Sequence, residues 1–168
     1  VPDIAVRAGV PADLPRLVEI SRAAFTLFGH AGLELPPDDP EAELAEAGRI
    51  LVAELPVPGS GPLAAGFAQL TELDGNAHLQ EISVHPDHGR RGVGSALLEA
   101  ACAGAGERGL PAMTLTTFRD LPFNGPWYAR RGFTELPPAE WGPELFAQWH
   151  NEAGLLVVPR IVMRRELR

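Results

Sequence analysis

The segment LQEISVHPDHGRRGVGSALL, residues 79–98, concentrates the residues best suited to chemistry. It reads as a strand ending at Val84, a turn through Pro86, a loop with glycines at 89, 92 and 94, and the start of a Leu- and Ala-rich helix. Glycines let a backbone curl close to a ligand with several N–H groups directed inward, and a helix N-terminus adds unpaired donors at the positive end of its dipole. Arg90 and Arg91 add charge beside that cradle. Its natural guest is a pyrophosphate; a tight turn alone would use the same glycines. A Walker A loop needs Gly-Lys-Ser/Thr, and the chain has no lysine. The dinucleotide fingerprint wants a third glycine where Leu97 stands. Both nucleotide folds are therefore disfavoured.

Other reactive side chains read more plainly. His85 and His88 flank Pro86 with no ligand cluster around them, so turn polarity is expected and no metal is predicted. Cys102, the single cysteine, falls inside the alanine-rich helix, where a small buried hydrophobe is expected rather than a nucleophile; it has no partner for an internal disulfide.

The elements that must position the loop follow from periodicity and turn chemistry. Ile4 to Arg7 reads as a short strand, and Leu14, Leu17, Val18, Ile20, Ala24, Phe25 and Phe28 recur at helical spacing after the Pro11-Ala12-Asp13 turn. A loop with Pro36, Pro37 and Pro40 suits a lid, and Glu41 to Arg49 reads as a short helix with an acidic first turn. Ile50 to Leu55, Leu63 to Leu73 and Ala77 to Val84 form a predicted antiparallel meander, with Asp74-Gly75-Asn76 as a hairpin signal. Residues 92–108 read as a helix, Ala112 to Phe118 as a strand, Asn124 to Arg131 as a short helix, and Phe133 to Leu136 and Leu156 to Arg164 as further strands. The fold class is α/β, with a mixed, mostly antiparallel central sheet flanked by helices.

Composition sets the outer limits. The chain of 168 residues, 45% hydrophobic and 21% charged, suits one domain over residues 1–168 with a sizeable core and little disorder. A net charge of −8 argues against nucleic acid, and the lack of a long apolar run argues against a membrane span, so a cytoplasmic protein is expected. The charge is uneven. Residues 1–84 carry 4 arginines against 13 acids, while residues 85–168 carry 10 against 9. A cationic substrate suits the first half and an anionic one the second.

The loop of residues 79–98, taken with WYARRGF at residues 127–133, resembles the GNAT superfamily of N-acetyltransferases. That family's marks are a strand, a His/Asp-Pro turn, a Gln/Arg-x-x-Gly-x-Gly/Ala loop, a helix, and then an aromatic-Tyr-x-x-x-Gly-Phe segment. The element order over residues 4–164 also matches. The resemblance implies an acyl-CoA N-acyltransferase fold and acetyl-CoA bound in a V between the strand ending at Val84 and the strand of residues 112–118. It further implies that Ile82, Ser83 and Val84 pair with the pantetheine arm and that Arg90, Arg91, Gly92, Val93, Gly94 and Ser95 hold the pyrophosphate. One departure stands out: Gly89 occupies the usual Gln/Arg position, with arginine displaced to Arg90.

Amine acetylation needs a base for the ammonium, oxyanion stabilisation and a proton for the departing thiolate. Tyr128, the only tyrosine, matches the family's general acid; packing beside Trp127 is its alternative role. Glu81 near the end of the central strand is the expected base, or else a solvated strand carboxylate. His78, three residues earlier, competes for the role and faces the other way unless a bulge intervenes. Asn124 is an N-cap for the helix that follows, a CoA contact, or both. The expected reaction moves acetyl from acetyl-CoA directly to a primary amine of a small molecule or peptide, and the acidic stretch Glu34 to Glu46 suits a cationic acceptor. A non-catalytic CoA or acyl-CoA module is the other use of such a cradle. The three tryptophans and the apolar C-terminal strand serve either a homodimer or the internal sheet.

Overall fold

The computed structural model describes residues 3–46 and 48–167. In chain order it runs β1 (Ala5–Ala8), α1 (Leu14–His30), α2 (Pro40–Leu44), β2 (Arg49–Val57), β3 (Gly61–Leu73), β4 (Asn76–Val84), α3 (Val93–Glu107), β5 (Ala112–Phe118), α4 (Gly125–Ala129), β6 (Thr134–Glu135), α5 (Pro143–Asn151) and β7 (Arg160–Glu166). The strands form one seven-stranded sheet in the order β1-β2-β3-β4-β5-β7-β6. Every neighbouring pair is antiparallel except β4 and β5. Among the described residues no helix is long and apolar enough to cross a membrane.

Each face of the sheet buries a separate apolar cluster. On one face α3 lays Val93, Leu97, Leu98, Ala101 and Ala105 over Ala68, Leu70, Ala77, Leu79 and Leu115, and Tyr128 and Phe133 close the end of this core. On the other, α1 contributes Leu17, Val18 and Ile20 and α2 contributes Leu44, packed on Val52 and Phe67. The two faces thus receive alternate residues of the same strands.

The β4–β5 pair controls access. Because the two strands are parallel, α3 must carry the chain between them, and they stay in register only at Ala77↔Met113 and His78↔Thr114. Beyond His78, β4 continues along β3 to Val84, while β5 pairs with β7 from Ala112 to Phe118. The two strands part, and a V opens where the sequence resemblance implies one. Gln80 is the extra residue of a bulge in β4, since Leu79 faces Leu70 and Glu81 faces Gln69.

Three elements depart from the sequence expectations. The second helix ends at Leu44, and pairing of Arg49 with Leu70 draws the following residues into β2. The last strand starts at Arg160 rather than Leu156: Ala153–Leu155 forms a 3₁₀ turn, Pro159 follows, and Leu156 and Val157 are exposed at 50% and 47%. From Arg160, β7 lies between β5 and β6, so the apolar C-terminal strand completes the internal sheet.

The third departure is α5, which the sequence pattern does not reveal. Its N-terminus is capped from far along the chain. The Asp74 carboxylate accepts from the amides of Glu144 (3.0 Å) and Leu145 (2.9 Å), and Glu144 accepts from the Asp74 amide (2.7 Å). A side chain at Gly142 would collide with that carboxylate. The β3–β4 hairpin, whose tip residues Asp74 and Gly75 both adopt positive φ, thereby fastens α5. Asp74→Ala removes two capping bonds and places alanine at φ +53°, so a loss of about 2 kcal/mol is expected in urea unfolding; Asp74→Asn, which tolerates that φ and keeps an acceptor, is expected to lose about half as much.

Candidate active site

The V leads into a cavity of about 1470 Å³ lined from both faces of the sheet. Glu81, Ser83 and Thr116 line it from the α1 side, and Leu79, Trp127 and Tyr128 from the α3 side. Of the residues expected from sequence, Tyr128, Glu81, Ile82, Ser83, Val84, Arg90, Gly92, Val93, Gly94, Ser95 and Asn124 all reach this cavity. Arg91 is exposed and lies off its wall.

Glu81 is held by two hydroxyls. Ser21 on α1 and Ser83 on β4 both donate to its Oε2, at 2.8 and 2.7 Å. Burial nevertheless raises its carboxyl above the ordinary carboxylate range, with the nearby Asp38 charge adding to the rise and the two serines opposing it. The bulge at Gln80 decides which way Glu81 points. Its β3 partner, Gln69, and the partner of His78, Thr71, are two apart, so Glu81 and His78 share a face. An uninterrupted strand would have separated them. His78 does not line the cavity: it is buried between the strands where they still pair, its Nδ1 2.8 Å from the Thr114 hydroxyl, and burial lowers its pKa to about 4.

Tyr128 enters from the opposite face. Its ring packs edge-on against Trp127 and Phe133, with centroids 5.0 and 5.6 Å away. Burial pushes the phenol pKa well above its usual value, so the group keeps its proton. The packing beside Trp127 that the sequence offered as its alternative role is present, and the same residue lines the cavity. Gly125 lets α4 start this close to β5, since a Cβ there would approach the Phe118 carbonyl to 3.0 Å and that of Arg119 more closely still.

The loop before α3 has the form of an anion cradle. Arg90 and Gly92 take positive φ, +61° and +84°, and Gly92 is the N-cap residue. The amides of Val93, Gly94 and Ser95 precede the first intrahelical bond, Ala96 to Gly92, and donate to no backbone carbonyl among the described residues. Arg131, absent from the sequence expectations, reinforces this corner from α4's end: it lies 3.8 Å over the Trp127 ring and donates to the Ser95 hydroxyl at 2.9 and 3.1 Å. Asn124 stands at the expected N-cap position of α4, its carbonyl accepting from the Tyr128 amide at 3.0 Å, but its side chain makes no cap: the side-chain amide donates to the Phe123 carbonyl, and Oδ1 has no partner among the described residues.

Polar satisfaction singles out the same cavity. Among the described residues, the buried side-chain atoms without a hydrogen-bond partner are Gln80 Oε1, His88 Nδ1, Asn124 Oδ1 and Arg160 Nε, and all four residues line it. Orphaned polar atoms are rare in protein interiors, and their concentration here marks a place built for a polar guest. Arg160 and Gln148 also emerge only in three dimensions, both bound to Glu152 at 3.0 and 2.7 Å. No group of three or more His, Cys, Asp or Glu among the described residues could hold a metal ion. Cys102 is buried in the α3 core, and burial raises its thiol to about 11.

The sequence of residues 46–135 matches the acetyltransferase (GNAT) domain family. The chain belongs to that family. Solved structures share the fold over 98% of the chain. N-acetylglutamate synthase of Neisseria gonorrhoeae, solved with coenzyme A and N-acetyl-glutamate, superposes with a TM-score of 0.72 at 17% identity. The chain spans only 35% of that protein. The ribosomal-protein-S18-alanine N-acetyltransferase of Escherichia coli gives 0.67 at 23% identity with 94% of its length covered, and the PaiA N-acetyltransferase of Thermoplasma acidophilum, in complex with coenzyme A, 0.68 at 16% with 99% covered.

A raised carboxyl has a definite stability signature. The folded protein holds the Glu81 proton more tightly than the unfolded chain, so the stability linked to this group is present below the unfolded pKa and lost as pH rises through the folded one. Glu81→Gln is therefore expected to raise the urea midpoint at pH 8, and the gain should fade as pH falls below the ordinary value of 4.5, where Glu81 becomes protonated in both states.

Proposed function

We propose that this chain transfers the acetyl group of acetyl-CoA directly to a primary amine, with Glu81 as the base and Tyr128 as the acid. The observation that carries the reading is one cavity bringing a partly buried carboxylate from one face of the sheet and a buried phenol from the other to the gap between β4 and β5. The coenzyme A complexes among the structural neighbours support the donor, and the amine-acetylating neighbours support the acceptor class.

In this reading Ile82, Ser83 and Val84 offer the free edge of β4 to the pantetheine arm, as an added strand would be received. The amides at Gly92 to Ser95 and the Arg90 charge hold the pyrophosphate, while Arg91 contributes its charge from outside the cavity wall. Asn124 Oδ1 accepts an N–H from the arm. Glu81 takes a proton from the incoming ammonium, directly or through water, and its burial raises its basicity for the task. The neutral nitrogen then bonds to the thioester carbon, the C–S bond breaks as Tyr128 gives its proton to the departing sulfur, and the surplus proton of the nitrogen passes through water to restore the phenol, leaving amide and free thiol. A phenol held protonated suits that role.

Coenzyme A at saturating concentration should raise the melting temperature, while ATP and NAD at the same concentration should not. Tyr128→Phe is expected to lower kcat for thiol release about 100-fold or more with little change in the Kd for coenzyme A. Coenzyme A binding without thiol release across a broad amine panel would make the chain a binding module instead.

A further inference from the structure

The charge of the cavity is divided. Arg90, Arg130 and Arg131 lie on the cradle loop and at the end of α4, whereas Asp38, Glu43, Glu46 and Glu81 line the side formed by α1, α2 and β4. Among the described residues no arginine or histidine forms an ion pair with any of these four carboxyl groups. Arg160, the remaining arginine of the cavity wall, is bound to Glu152 at 3.0 Å, and Arg22 on α1 is bound to Glu41 at 3.0 Å.

A second observation is independent of the charge count. Gln69 is only 4% exposed and lines the cavity. Its amide nitrogen donates to the Glu43 carbonyl at 2.9 Å, but no group among the described residues donates to its Oε1. Gln80 Oε1, buried on the same wall, is likewise without a donor. Since Gln69 is the β3 partner of Glu81, its side chain ties Glu43 to the register position of the proposed base. This end of the cavity therefore presents four carboxyl groups together with two amide oxygens to which nothing among the described residues donates. Its natural complement is a ligand made of N–H donors with positive charge, and an acceptor that bears a carboxylate would be repelled.

Resting on the acetyl-transfer reading, we propose that the acceptor is a diamine or polyamine, with one amine delivered to Glu81 and a second, non-reacting ammonium held by Glu43, Asp38 and Gln69 Oε1. The state of Glu43 without a ligand supports this. Burial and the like charges of Glu81 and Asp38 push its carboxyl up to about 7, and a bound ammonium would relieve that repulsion.

The test compares 1,4-diaminobutane and spermidine with butylamine and 4-aminobutyrate as acceptors for acetyl-CoA, read by thiol release from the full chain at pH 8. The expected kcat/KM for the diamine is at least about tenfold above that of butylamine, with 4-aminobutyrate below both. In the D38N/E43Q double variant the diamine-to-butylamine ratio should fall toward one through a rise in the diamine KM. An equal ratio in the wild-type chain, a preference for 4-aminobutyrate, or a ratio unmoved by the double substitution would overturn the proposal while leaving acetyl transfer standing. Turnover of none of the four would leave the transfer reading to the broad amine panel, and calorimetry then decides the subsite. Spermidine binding to the coenzyme A-saturated chain that the double variant abolishes upholds the subsite; no binding heat, or heat the variant retains, rejects it.

Discussion

The site depends on the parting of β4 and β5. A parallel pair is expected to run several residues, yet this one holds for two register pairs because its strands are claimed elsewhere: β4 by β3 up to Val84, and β5 by β7 over its whole length. Past His78 and Thr114 each strand keeps one partner and exposes one edge inside the molecule. A strand edge away from water is a row of donors and acceptors that something must answer. The helix that connects the two strands begins at the mouth of the opening, so the same crossover that makes the pair parallel brings unpaired helical amides to the gap. Strand separation and anion cradle are thus two results of one connection.

The groups around this opening are poorly placed for stability and well placed for chemistry. Glu81 and Glu43 are carboxyls raised by burial, Tyr128 is a phenol kept protonated by burial, and Arg90 adopts the left-handed conformation without being glycine. The cores on either side show the opposite choice, with alanine, leucine, valine and phenylalanine filling both faces. Such a contrast is expected where function, rather than packing, sets residue identity.

Much of this was legible in the sequence because it is written locally. The glycine loop, the hairpin at Asp74-Gly75, the helical stripe of α1 and the Trp127–Phe133 segment each carry their signal within a few residues, and all but the lengths of α2 and β7 come out close to expectation. What stayed hidden is non-local. Helix α5 has no cap of its own and borrows the Asp74 carboxylate from the β3–β4 hairpin. Arg131 and Ser95, or Arg160 and Glu152, meet only when the sheet is assembled. Two residues did leave a trace: Ser21 interrupts the apolar stripe of α1, and Gln69 interrupts an apolar run of β3, and each proves to contact Glu81 or Glu43. A polar residue at a core position is a usable signal for a site.

The bulge at Gln80 is the least conspicuous feature and fixes the direction of the proposed chemistry. On a regular strand Glu81 would alternate onto the α3 face, in the apolar cluster that contains Tyr128. One extra residue turns it to the α1 face, where Ser21 can reach it and where the acidic residues of α2 and its preceding loop lie. Glu81 and Tyr128, the proposed proton acceptor and donor, then stand on opposite faces of the sheet, with the gap between β4 and β5 separating them. A nucleophile must approach a thioester from one side as the sulfur departs toward another, and a carboxylate and a phenol on the same face would compete for one approach. The inserted residue supplies that separation without moving either helix, which explains why Ile82 and Val84 can return to the α3 core immediately after it.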